Sequence, residues 1–177
     1  MLRNRTIGIA AWLMLFGAGG CEPTNQGYAP DQPIKYSHAV HAGAMKINCL
    51  YCHYAAERSR HAGIPPAAIC MNCHQQVQVT HPEVKKVAAA IETGTPIEWV
   101  RVHFLPDHAY FNHSAHLNAE VACQTCHGPV ESMGRVMQWA PLTMGWCIDC
   151  HRESSRVEGQ ETAPRVSPLT DCAVCHH

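Results

Sequence analysis

Residues 36–74 read YSHAVHAGAMKINCLYCH, then a spacer, then IPPAAICMNCH, so two C-x-x-C-H pentads stand behind a His-x-x-His pair. In such a pentad the two thiols are spaced to reach the two vinyl groups of one haem, and the adjacent imidazole falls under the iron as its proximal ligand. The pentad occurs five times: Cys49/Cys52/His53, Cys70/Cys73/His74, Cys123/Cys126/His127, Cys147/Cys150/His151 and Cys172/Cys175/His176. Five covalently bound haems c are therefore expected, with the ten cysteines as attachment points and the five histidines as iron ligands.

Rival readings of C-x-x-C are a thioredoxin-like dithiol and one half of a zinc site, and neither requires His as the next residue. The chain has 14 His in 177 residues, so each match has a chance of roughly one in twelve and all five together roughly a few in a million. A four-cysteine zinc ribbon would leave five histidines in register unexplained. The near-zero formal charge of −1 excludes a strongly basic nucleic-acid footprint.

Of 11 cysteines, only Cys21 lies outside the pentads. Two arginines within residues 1–5, the mainly apolar run Ile7 to Phe16 and Gly17-Ala18-Gly19-Gly20 form a signal peptide over residues 1–20, whose apolar run of ten residues is too short to cross a bilayer as a helix. Small residues directly before Cys21 predict a lipid anchor there; the alternative is ordinary cleavage and a soluble periplasmic protein. Export agrees with haem attachment outside the cytoplasm, so the expected place is the periplasmic side of the cell membrane. Residues 21–34, rich in Pro, Gly, Asn and Gln, read as a tether.

The remaining domain, 35–177, leaves about 31 residues per haem once the signal is removed. So little chain cannot build a large side-chain core. The expected fold is mostly irregular with short α-helices wrapped around haems that form the core. Module A spans 35–74, a spacer 75–109, module B 110–151 and a C-terminal haem segment 152–177. Module B repeats module A: an aromatic, one residue, His113-x-x-His116, then Cys123/Cys126/His127, with the His-to-Cys gap one residue shorter. In the spacer, Thr80 to Gly94 predicts a helix with Val84, Val87, Ala88 and Ile91 on its apolar stripe. The run from Ile97 to Leu105 is β-like.

Histidines three apart on a helix lie on one face, so His38 and His41 cannot sandwich one iron. Each can serve a different haem, which makes the pair a staple, as His113 and His116 would be; surface histidines are the bland alternative. The fifth distal ligand is expected to be His103, in an apolar segment where an imidazole needs a partner. Met144 is its main rival, followed by His61 and His108. Two strong axial ligands per iron suit electron transfer rather than catalysis, and no C-x-x-C-K of the nitrite-reductase kind occurs.

The strings QPIKYSHAVHAGAMKINCLYCH, HAGIPPAAICMNCH, IEWVRVHFLPDHAYFNHSAH and PLTMGWCIDCH closely resemble the pentahaem cytochrome subunit of alternative complex III. More distantly they resemble the multihaem subunit of the menaquinone reductase complex and the class III cytochromes. The resemblance implies a class III-like multihaem cytochrome that is not itself an enzyme. Such a subunit is peripheral and periplasmic, and carries electrons from a quinol-oxidising membrane complex, whose other subunits are its partners, to a downstream cytochrome or oxidase. A free periplasmic shuttle is the alternative.

If Cys21 carries lipid, globomycin leaves an unprocessed precursor and Cys21→Ser releases the protein to the soluble periplasm. Membrane retention of that variant in cells lacking every partner subunit would defeat the assignment.

Overall fold

The computed structural model describes residues 24–154 and 171–176; the signal run, Cys21 and residues 155–170 lie outside the described residues. In chain order the elements are a π-helical turn Ala39–Ala44, α1 (Cys49–Cys52), a 3-10 turn Tyr54–Glu57, α2 (Ala67–His74), α3 (Pro82–Thr93), α4 (His113–Asn118), α5 (Cys123–His127), a 3-10 turn Val130–Ser132, α6 (Met144–Ser154) and α7 (Cys172–Cys175). Among the described residues there is no strand, and no helix is long and apolar enough to cross a membrane. The fold is thus irregular with short helices, the class the sequence predicts.

Each pentad lies in a helical turn, at the start of α1, α5 and α7 and one turn into α2 and α6, which brings the second thiol round to the face of the first. Asn48 and Asp171 begin α1 and α7 by accepting the N–H of Leu50 (2.8 Å) and Ala173 (3.0 Å) on a side-chain oxygen. The N–H groups of His53 and His176 then bond back to the first cysteine's carbonyl at 2.9 Å. The spacer helix runs as expected: His81 Nδ1 accepts the Glu83 N–H at 3.2 Å, and Gly94 closes it at φ 66°. Val84 and Val87 are buried and α3 packs on α2, whereas Ile91 at the far end of the stripe is exposed.

The two copies of the His-x-x-His motif are alike in backbone. Lys46 (φ 56°) and Glu120 (φ 59°) hold the same left-handed position just before Ile47 and Val121. The Ile47 N–H reaches back to the His41 carbonyl, and the Val121 N–H to the His116 carbonyl, each at 3.0 Å. The first closure spans one residue more. A π-helical turn absorbs that residue, with the Met45 N–H on the Val40 carbonyl at 2.9 Å. The longer His-to-Cys gap in module A is this insertion.

The copies also swap contacts. The Ala39 N–H, next to His38, donates to the Met133 carbonyl at 2.9 Å; the Ser114 N–H, next to His113, donates to the Ser59 carbonyl at 3.2 Å. Both acceptors stand six residues after a pentad histidine, His127 and His53 respectively. Each His-x-x-His segment therefore packs on the chain leaving the other copy's first pentad. Gly43 makes one of these approaches possible, since a Cβ there would run into the Glu131 carbonyl oxygen.

The run 97–105 departs from expectation because it pairs with no strand. Glutamine side chains take up its backbone groups instead. Gln32 donates Nε2–H to the Val100 carbonyl and accepts the Val100 N–H on Oε1, both at 2.9 Å, and Gln138 Oε1 accepts the Phe104 N–H at 3.0 Å. One side-chain amide does for one residue what a neighbouring strand would. Residues 24–33, read from sequence as a tether, lie along this run. The Gly27 N–H donates to the Gln138 carbonyl (2.7 Å), the Gln138 N–H to the Tyr28 carbonyl (2.9 Å), and Arg135 pairs with Asp31 at 2.8 Å.

Gln138 is fully buried at the centre of this clamp, and its Nε2–H also donates to the Ala140 carbonyl at 3.2 Å. Replacing it with Leu keeps most of the volume but orphans the Phe104 N–H. Gln138→Leu should cost about 2 kcal/mol, read as a lower urea midpoint of the holoprotein. An unchanged midpoint would show that the clamp adds nothing to stability.

Candidate metal centres

Each of the five pentad histidines faces the ring of a histidine from another part of the chain. Numbered in pentad order, site 1 pairs His53 with His38 (ring centres 6.5 Å apart, planes 6° apart) and site 2 pairs His74 with His41 (6.1 Å, 63°). Site 3 pairs His127 with His113 (6.4 Å, 14°) and site 4 pairs His151 with His116 (5.9 Å, 31°). Site 5 pairs His176 with His108 (5.4 Å, 26°). His38 and His41 thus face different pentads, as do His113 and His116.

Most of these rings are anchored through Nδ1 to a main-chain carbonyl. The acceptors are Ser37 for His41 (2.9 Å), Gly63 for His53 (2.9 Å), Val77 for His74 (2.9 Å), Arg60 for His113 (2.8 Å), Asn112 for His116 (2.7 Å) and His108 for His176 (2.9 Å). A carbonyl can only accept, so the proton sits on Nδ1 and the lone pair on Nε2. That is the tautomer a metal-ligating imidazole uses.

His38 and His127 are held differently, in the sites that the contact swap relates. His38 Nδ1 is buried with no hydrogen-bond partner among the described residues. His127 Nδ1 meets not a carbonyl but Nε2 of His103, at 3.1 Å, with the two rings nearly perpendicular. His103 is therefore not opposite a pentad histidine but behind one. Burial lowers the His38 and His127 imidazoles to about 4, helped in the first by His53 and in the second by His103. Burial also lowers His103, with His113 adding to it. His38 and His127 are neutral at physiological pH.

An aromatic ring two residues before each His-x-x-His pair orients both imidazoles. Tyr36 meets His38 edge-on at 4.8 Å and stacks on His41 at 4.4 Å; Phe111 meets His113 edge-on at 4.8 Å and stacks on His116 at 4.2 Å. The Tyr36 hydroxyl is pushed up to about 12, by burial first and then by Cys52 and Cys70 beside it. Next to His127, Gly128 holds φ 69° close against Trp139, whose ring a Cβ would strike.

The thiols show which sites adjoin. Burial raises Cys52, and Cys70, Cys49 and Cys73 add to it, so sites 1 and 2 are neighbours. Cys123 is raised by burial and then by Cys49, joining sites 1 and 3. Cys126 is raised by burial, then by Cys150 and Cys147, joining sites 3 and 4. Cys147 is raised by burial, then by Cys175, joining sites 4 and 5. In space the order is 2, 1, 3, 4, 5.

These residues fit haem c. Imidazole nitrogen binds a first-row metal at about 2 Å and stands about 1.2 Å from its ring centre, so two imidazoles on opposite faces of one iron have centres about 6.4 Å apart. Sites 1 to 4, at 5.9 to 6.5 Å, lie near that value and site 5, at 5.4 Å, is shorter; each has a C-x-x-C turn beside it. The side chains alone also make little core. Among the described residues only Ile34, Ala56, Val84, Val87, Met133 and Ala140 are buried apolar residues, while Val40, Ile64 and Met144 are 50 to 63 % exposed. The other candidates stand apart: Met144 begins α6, and the exposed His61 donates its main-chain N–H to Ser59 Oγ. His177 lies outside the described residues. No local motif marks His108; only the fifth pentad's lack of its own His-x-x-His pair points to a partner elsewhere.

Residues 109–177 match the family model described as cytochrome c7 and related cytochrome c. A relative from Nitratidesulfovibrio vulgaris, named menaquinone reductase, multiheme cytochrome c subunit, is 35 % identical over 167 residues, covering 82 % of this chain and 77 % of its own length.

Proposed function

The chain belongs to the multihaem c-type cytochromes, and from that premise we propose that it carries electrons through five covalent haems c as the periplasmic subunit of a quinone-reactive membrane complex. The five facing imidazole pairs carry this reading, because each offers two strong ligands and no open face for a substrate. His53, His74, His127, His151 and His176 serve as proximal ligands, and His38, His41, His113, His116 and His108 as distal ones. His108 takes the place that sequence reasoning gave to His103, whose Nε2 is occupied by His127.

When bound, each haem supplies a one-electron iron couple. The chain's own residues fix the conditions for it. Nδ1 hydrogen bonds hold the rings in one tautomer, Tyr36 and Phe111 hold their planes, and the adjoining cysteine turns place the sites in a row. Its ends are the turns Cys70–His74 and Cys172–His176, where partners on either side would exchange electrons.

The resemblance to the alternative complex III subunit favours a path from quinol to a downstream cytochrome or oxidase. The relative's name favours the reverse flow, toward menaquinone. A bis-imidazole row serves either direction, so the partner's potential sets it. Turnover of the purified complex with quinol and with quinone decides between them, and a chain that purifies alone from native membranes supports the shuttle instead.

The holoprotein mass should exceed that of the apoprotein by five haem masses, and four or fewer breaks the reading for at least one pentad. His108→Ala should turn one of five low-spin EPR signals high-spin. Five unchanged low-spin signals would remove His108 as a ligand.

A further inference from the structure

Sites 1 and 3 are equivalent under the exchange of contacts between the two modules, and they adjoin each other through Cys49 and Cys123. Their distal histidines, His38 and His113, hold the same motif position, and their proximal histidines each begin the chain segment that the other copy grips. On the distal side His38 Nδ1 has no hydrogen-bond partner among the described residues where His113 Nδ1–H donates to the Arg60 carbonyl at 2.8 Å, and on the proximal side the group behind the ring differs. His53 Nδ1–H donates to the Gly63 carbonyl at 2.9 Å, whereas His127 Nδ1 meets Nε2 of His103 at 3.1 Å and is the donor there once His127 Nε2 is given to the metal.

We propose that His103 is a positioning residue that sets the central haem of the row, site 3, to a lower reduction potential than its counterpart at site 1. This rests on the ligand assignment above. An imidazole nitrogen, whose conjugate acid has a pKa of about 6.5, is a stronger acceptor than an amide carbonyl. It draws the His127 N–H harder, which makes His127 the more electron-rich ligand and favours the higher charge on the metal. The ring is well fixed for this role. It is half-buried, its neighbour Phe104 donates N–H to the buried Gln138 side chain at 3.0 Å, and its own carbonyl accepts from Arg101 Nε–H at 2.9 Å. With Nε2 accepting, the His103 proton sits on Nδ1.

The test is a spectroelectrochemical titration of the full-length holoprotein, with His113→Met marking the site 3 component and His38→Met the site 1 component. His103→Leu should favour reduction at site 3 by about tenfold, which is about 59 mV for a one-electron couple, and leave the other four components in place. His103→Gln, which returns an oxygen acceptor, should bring most of that shift back. No shift in the Leu variant, or the same shift in the Gln variant, overturns the proposal. If His103→Leu fails to hold five haems, the wild-type order decides: site 3 must lie below site 1, and the reverse overturns it. Should His113→Met move no component at all, the ligand assignment of site 3 fails instead.

Discussion

A pair of imidazoles held about 6 Å apart, ring to ring, is the constraint that the rest of the molecule meets five times over. Each ring must present Nε2 inward, so each needs an acceptor for the proton on Nδ1. Main-chain carbonyls supply most of these, and four of the six are carbonyls that no helix or strand has claimed. Gly63, Val77, Arg60 and His108 meet that condition because they lie in irregular chain. Ser37 and Asn112, one turn below His41 and His116, accept the main-chain N–H of the same histidine as well, at 3.3 and 3.4 Å, and use their second lone pair for the ring. The scarcity of regular structure is thus part of how the rings are held: a strand or a long helix would have used the same oxygens.

The same need explains how two copies of one motif make a single body. Each copy supplies two distal rings but cannot fix their height above the partner rings by itself. The swap of contacts, Ala39 to Met133 and Ser114 to Ser59, sets each His-x-x-His segment against the exit of the other copy's first pentad. Neither module is complete alone. The extra residue in module A is tolerated because the π-helical turn spends it between His41 and the left-handed Lys46, after both imidazoles have been placed.

Much of this was legible from sequence, because the pentads and the His-x-x-His pairs are local patterns with fixed geometry. The C-x-x-C spacing implies a helical turn, and two histidines three apart must face different irons. The chain's remaining assignments depended on contacts between distant segments. His108 and His176 are 68 residues apart, and His103 and His127 are 24 apart with no repeat to relate them. The reasoning that gave His103 a partner was sound for a half-buried imidazole; its partner is the back of His127. Likewise the alternating run 97–105 has the composition of a strand but finds glutamine amides where a strand would need a ladder. The composition of 24–33 reads as loose chain, yet Gln32 supplies one of those amides.

The segment between the modules is where the duplicated arrangement becomes directional. A perfect repeat would give sites 1 and 3 the same surroundings and leave electrons no preference between them. From this one stretch, His103 reaches behind site 3 and His108 faces site 5, while the Tyr110 N–H donates to the Cys175 carbonyl at 2.8 Å and ties the C-terminal pentad to the entrance of module B. The fifth pentad has no motif copy of its own because its ring partner and its anchor both come from this connection. A connector read as a spacer therefore both extends the row by one site and makes its two halves unlike, which two identical modules could not do for themselves.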